Sequence, residues 1–284
     1  MSDISGLVLV DKPAGPSSFA VLHSLRPALG RKLGHAGTLD PFATGLLLVL
    51  AGRATRLATF LSGLDKRYRA TVQFGARSST LDPEGEITPG GGTTDEQSVR
   101  LAAEDLVGEL DQRVPAASAV HVDGERAYRR LRRGETVETP SRRVRIDLLE
   151  VRSWDGEAQQ AEIEIACSKG TYVRQVAADI GDATTAGAYC LALRRLAVGP
   201  FSVEDAAPPE RILDAPDLRL IPPARALPHL ATHELSAGER VAISHGRPIP
   251  GAGHEGTVAL IAAGELLAVA REQEGQLRPL AVFA

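Results

Sequence analysis

The chain has 284 residues, 43 % of them apolar and 24 % charged, with a formal net charge of −4. This composition fits a folded protein of one large or two smaller domains, and it excludes a disordered chain or a nucleic-acid binder held by overall charge. No run of eighteen uncharged apolar residues is present, residues 1–6 lack a secretory pattern, and the lone Cys167 and Cys190 read as free thiols of a reducing cytoplasm.

In chain order, residues 6–11 read as a short buried strand, broken by Lys12-Pro13-Ala14-Gly15-Pro16. Ser17 or Ser18 caps a helix running towards Leu29, with Pro27 as a kink or stop. Residues 34–45 follow, a loop with three glycines carrying one carboxylate, Asp40, directly before Pro41. Glycine permits unusual backbone angles, and a residue before proline is driven to an extended conformation. Together they fix the direction of the Asp40 side chain, either for chemistry or merely for an Asx or helix-cap turn. The apolar run 46–50 anchors the loop as a strand, and a short helix covers 55–61.

Residues 68–74 alternate as a strand, 78–94 form a loop, and 97–110 form a helix. From Glu125 to Arg145 eight arginines stand against three glutamates, a patch suited to phosphate backbones or simply a solvated face. Residues 144–151 and 161–167 are strands, 171–182 an amphipathic helix, and 189–198 a further strand. Six prolines between 208 and 228 make a stiff connector. Short strands at 240–244, 257–261, 266–272 and 277–283 then suggest a small barrel. The catalytic part is expected to be α+β, a mixed, mainly antiparallel sheet flanked by helices.

Two motifs are set aside. Gly251-Ala252-Gly253-His254-Glu255-Gly256 fits a dinucleotide fingerprint literally, but it stands among strand patterns with too little chain after it. His229 and His233 have the spacing of helical zinc ligands, without a glutamate between them or a further ligand nearby.

Residues 34–41 resemble the G-H-x-G-x-L-D-P signature of the TruB family of tRNA pseudouridine synthases. Four further segments match it in order, at 6–13, 65–68, 168–174 and 193–196, so the resemblance spans about residues 4–200. The remainder is similar to the PUA-like barrel that ends bacterial members. The resemblance implies a pseudouridine synthase catalytic domain over 1–225, with an RNA-gripping insertion near 116–143, and a PUA-like RNA-binding domain over 230–284.

It further implies isomerisation of uridine to pseudouridine at position 55, in the T arm of tRNA, with no cofactor or metal. Asp40 is then the catalytic residue, attacking ribose or base or first removing a ribose proton, and Arg174 its partner. Tyr68 stacks on the flipped uracil, Tyr172 and Leu193 complete the pocket, and His35 contacts RNA. Arg126, Arg129, Arg130, Arg132, Arg133, Arg142 and Arg143 grip the RNA. A stand-alone cytoplasmic monomer without guide RNA is expected. Ala36 and Thr38 depart from the Thr and Ala common at those signature positions. A non-catalytic tRNA-binding or tRNA-folding protein and a sugar-cleaving hydrolase are the competing readings. The latter usually needs two carboxylates, and the sequence singles out one.

Overall fold

The computed structural model describes residues 4–283 except 119, 123, 136 and 216–219, and only the backbone of 121, 126, 128, 129 and 132. A ten-stranded sheet forms the larger part. Its ladder runs Leu220–Ile221, Gly6–Lys12, Thr44–Ala51, Ala188–Val198, Lys66–Phe74, Gln160–Cys167, Ser141–Asp155, Gly108–Arg113. Leu33–Ala36 pairs with Thr44–Ala51, and Phe201–Ser202 with Ala188–Val198. Every pair is antiparallel except Thr44–Ala51 with Ala188–Val198. The expected mixed, mainly antiparallel sheet is therefore observed.

The apolar run at 46–50 is explained by burial on both faces. Leu47 and Val49 face helix Ser18–Leu29, packing with Val21, Leu22 and Leu25. Leu46, Leu48 and Leu50 face Leu57, Leu61, Val198 and Phe201, together with Leu266, Val269 and Phe283 of the C-terminal sheet. On the other half of the large sheet, helices Glu96–Glu104 and Val173–Ala183 cover Ala70, Val72, Ile163 and Ile165.

The C-terminal sheet has five strands, ordered Ala231–Glu234, Thr257–Ala262, Glu265–Gln273, Gln276–Val282, Ile249–Pro250. It is a half-barrel of the PUA-like kind. Its glycine-rich 251–256 loop is closed by Glu272, which accepts from the Gly253 and His254 amides at 2.8 and 2.7 Å. A carboxylate of the chain itself thus occupies the amides that a dinucleotide phosphate would need. His233 lies in a strand and His229 in a turn, so their spacing is not that of one helix face.

Three expected elements differ. The 97–110 helix ends at Glu104, and Gly108–Arg113 is instead an edge strand paired with Ser141–Asp155. Gly108 sits at φ +115°, where a helix cannot continue. Residues 240–244 are not a strand but part of helix Ala237–Ser244, started by a Ser236–Glu239 capping box. The 78–94 loop contains a small ladder of Ala76–Ser78 with Ile87–Pro89. Ser17 is the cap of the first helix, which runs through Pro27 to Leu29. Among the described residues no helix is long and apolar enough to cross a membrane.

Gly45 lies where strands Thr44–Ala51 and Ala188–Val198 pair in parallel. It has φ +100°, and a Cβ there would lie 2.3 Å from the Arg195 carbonyl oxygen. Gly45→Ala should lower stability by about 2–4 kcal/mol, combining positive-φ strain with overpacking. Gly30→Ala, also at positive φ but in open space, should cost only about 1–2 kcal/mol. Urea midpoints of the two variants check the difference.

Candidate active site

The loop between Leu33–Ala36 and Thr44–Ala51 carries Asp40 and is held at almost every peptide. Ser18, freed from capping by Ser17, turns its hydroxyl onto Leu39, donating to the carbonyl at 2.9 Å and accepting from the amide at 2.8 Å. Lys12 is fully buried and donates to three carbonyls, Ala43 at 2.7 Å, Pro13 at 2.9 Å and Pro41 at 3.1 Å. The Gly15 amide reaches the Pro41 carbonyl at 2.9 Å. Arg195, also buried, donates to Leu46 O at 2.7 Å and Gly37 O at 2.9 Å. Each of these bonds removes a freedom of the loop, and the result is a fixed Asp40 carboxylate.

Arg174 faces that carboxylate from helix Val173–Ala183 and is only 3 % exposed. Its Nε lies 3.0 Å from Asp40 Oδ2, and its Nη2 is 3.4 Å from Oδ1. Its Nη1 donates to Asp82 Oδ2 at 2.7 Å and Thr80 O at 2.8 Å, and Nη2 also reaches Ala117 O at 2.9 Å. One guanidinium therefore holds two aspartates. Asp82 is buried and takes further bonds from the Thr80 hydroxyl at 2.5 Å and the Glu84 amide at 3.1 Å. Leu81, at φ +65°, turns Asp82 inward, a strained residue of the kind found at functional sites.

A pocket of about 290 Å³ opens over Asp40, lined by Tyr68, Tyr172, Arg174, Leu193 and Arg195 among others. Its volume is near that of a small-ligand site. Asp40 keeps 36 % of its side chain exposed on this side. Burial lifts its pKa above the ordinary 3.8, and Asp82 adds to the rise, while Arg174, Lys12 and Arg195 oppose it. Burial likewise raises the Tyr68 phenol, against the opposing charge of nearby Arg195. Burial lowers Lys12 to about 8, although Asp40 pulls it back up. The Tyr172 backbone is pinned by buried Gln112, which accepts its amide at 2.8 Å and donates to its carbonyl at 3.1 Å. The Arg142 guanidinium stands 5.4 Å above the Tyr172 ring.

This constellation coincides with a family assignment. Residues 26–173 match the model of the TruB family pseudouridylate synthase N-terminal domain. Residues 230–284 match that of the tRNA pseudouridine synthase II C-terminal domain. The chain belongs to the TruB family.

A tRNA pseudouridine synthase B from Thermobifida fusca is 41 % identical over 290 aligned residues, covering 98 % of both chains. One from Synechococcus sp. is 41 % identical, covering 98 % of this chain and 97 % of the relative. In fold, the chain is similar to the crystal structure of a Cbf5-Nop10-Gar1 complex, with TM-score 0.77, 23 % identity and coverage of 99 % and 85 %. This TruB chain is thus an isomerase of the pseudouridine synthase class.

Of the residues expected in the site, Asp40, Tyr68, Tyr172, Arg174 and Leu193 meet at the pocket. His35 lies outside its lining, half-buried on Leu33–Ala36, with Nδ1 unbonded. Burial, and then Arg195, push its pKa below the ordinary 6.5. The basic segment is less free than its composition suggests. Arg133 pairs with Glu125 and Glu135, Arg130 with Glu135, and Arg143 with Glu109 and Asp111. The side chains of Arg126, Arg129 and Arg132 lie outside the described residues.

Four buried residues of the site escaped the sequence reading: Lys12, Lys66, Asp82 and Arg195. One signal for Asp82 was present. The tetrapeptide Thr-Leu-Asp-Pro occurs twice, at 38–41 and 80–83, and both aspartates meet Arg174.

A reaction that uses the ionised Asp40 carboxylate should slow as pH drops through a pKa above 3.8. It should also slow above about 8, where neutral Lys12 turns a lone pair towards one of its carbonyls. A kcat/KM profile checks both limbs, and Lys12→Met should be less active and lack the alkaline one. Arg174→Lys keeps the charge but loses the fork, and should reduce activity at least about 100-fold through misplacement of Asp40.

Proposed function

We propose that this TruB enzyme isomerises uridine to pseudouridine at position 55, in the T arm of tRNA, with Asp40 as its catalytic residue. The reaction breaks the C1′–N1 bond, forms C1′–C5, gives the C5 proton to solvent and takes up one proton at N1. Atoms and electrons balance without any cofactor. Asp40 serves either as a nucleophile towards ribose or base, or as the base that first takes a ribose proton.

The observation that carries this reading is the fixed, partly exposed carboxylate of Asp40, paired to buried Arg174 at the floor of an aromatic pocket. A base inside a stem or folded loop must leave its stack to reach such a floor. Tyr68 then stacks on the everted uracil, Tyr172 and Leu193 flank it, and His35 contacts the RNA beside it. Stacking on an aromatic ring supplies about 1–3 kcal/mol per base. Residues 1–225 are read as the catalytic domain. Residues 230–284 are read as an RNA-binding module, and the arginines at 126–143 as contacts to the bound RNA. The enzyme acts alone as a cytoplasmic monomer, without guide RNA.

The test is release of label from C5-labelled uridine in a bare T-arm stem-loop, with the product mapped in full tRNA. Wild type should release label and place pseudouridine at position 55. Asp40→Asn should bind the RNA normally and lose at least about 10³-fold in rate. Equal binding with no release by either protein would leave a tRNA-binding role instead. Free uracil as product would mark a hydrolase.

A further inference from the structure

The outer face of helix Ser18–Leu29 carries a second surface that the pocket chemistry does not use. The helix buries Val21, Leu22, Leu25 and Leu29 against the sheet. Phe19, His23, Arg26 and Pro27 recur at helical spacing along its exposed side. The stripe from Phe19 to Pro27 is about 12 Å long at 1.5 Å per residue. Its first end is fixed beside the active site, because Ser18 grips Leu39, the neighbour of Asp40. Phe19 stands there with 66 % of its surface exposed. At the far end, His23, Arg26, Pro27 and Arg31 line one shallow groove.

Charge separates this face from the arginine-rich segment. No Asp or Glu occurs anywhere from Lys12 to Leu39. Among the described residues, the side chains of Arg26, Arg31 and Lys32 have no ion-pair or hydrogen-bond partner. Arg133, Arg143 and Arg145 are each held by two carboxylates. The helix dipole accounts for a cation at Arg26, in the last turn, but not for Arg31 and Lys32 beyond it.

We propose that this stripe is an RNA-contact surface continuous with the pocket, resting on the function proposed above. Arg26, Arg31 and Lys32 take the sugar–phosphate backbone of the same tRNA that delivers the everted uridine. Phe19 packs on a base or ribose next to the flipped position. The order along the stripe matches that partner, with an aromatic face where bases are unstacked and unpaired cations where the backbone leads away.

Filter binding of full-length tRNA at several salt concentrations tests it, alongside single-turnover pseudouridine formation at saturating RNA. R26E/R31E should weaken Kd at least about tenfold and flatten the salt dependence by about 1 for each phosphate no longer neutralised, with turnover at saturation retained. Phe19→Ala should weaken Kd about tenfold with an unchanged salt slope, because stacking releases no counterions. R100A/R152A, on a separate face lined by helix Glu96–Glu104, should stay within about twofold. Thermal melts monitor folding, and R26Q/R31Q should show about half the effect if charge reversal perturbs the fold. Wild-type Kd and salt slope in R26E/R31E overturn the proposal, as does lost turnover at saturation with wild-type Kd. If wild type makes no pseudouridine, the function proposed above fails, while the binding arms still decide this surface.

Discussion

The site is organised around one buried cation. The Arg174 guanidinium sits between Asp40 and Asp82 and also meets the carbonyls of Thr80 and Ala117. A planar fork can serve several acceptors in fixed directions, which a lysine cannot. Burying such a group is costly, and paired buried ions seldom add net stability. Their value here is directional. Asp82 has no solvent-facing role, being buried and saturated with hydrogen bonds, so it acts by holding Arg174 at the place where Asp40 needs it. Asp40 alone keeps a free side towards the pocket.

The fold supplies what that arrangement demands, a loop that cannot drift. The one parallel strand pair of the large sheet among the described residues brings Thr44 and Gly45 against Arg194 and Arg195. From there Arg195 reaches back to Gly37 and Leu46, on both sides of the Asp40 loop. Lys12 closes the loop from the neighbouring strand and Ser18 from the first helix. Strands buried on both faces give these anchors a stiff base, since neither can shift without opening a packed layer. The rigid carboxylate is thus assembled from a strand end, a helix start, a second strand and a second helix.

Much of this was legible in the sequence. The glycines and the Asp-Pro pair announced a directed carboxylate, and apolar runs together with period-two patterns gave six of the ten strands of the large sheet. What escaped has a common cause. Lys12, Lys66, Asp82 and Arg195 are charged residue types, which local pattern assigns to the surface, and only tertiary pairing reveals them as buried. The second Thr-Leu-Asp-Pro segment shows the limit sharply, because one tetrapeptide places Leu39 in the core and Leu81 at φ +65°. The strand Gly108–Arg113 was hidden because it is a polar edge whose only strong signal is its partner. Helix Ala237–Ser244 was missed although its Ser236–Glu239 capping box is a local signal.

Charge illustrates the same lesson at larger scale. Net charge of −4 and a dense arginine segment point in opposite directions about an RNA partner. Neither count measures the field that a phosphate would meet. Beyond roughly 8–10 Å surface charges are screened at physiological salt, so only nearby and uncompensated cations matter. In the arginine-rich segment, carboxylates offset Arg130, Arg133 and Arg143 within a few ångströms. The run from Lys12 to Leu39 holds fewer cations but no acid at all. On the proposed reading, an anionic chain presents a cationic path towards its pocket. Where that path runs is decided by ion pairing across the folded surface, not by the density of arginine along the sequence.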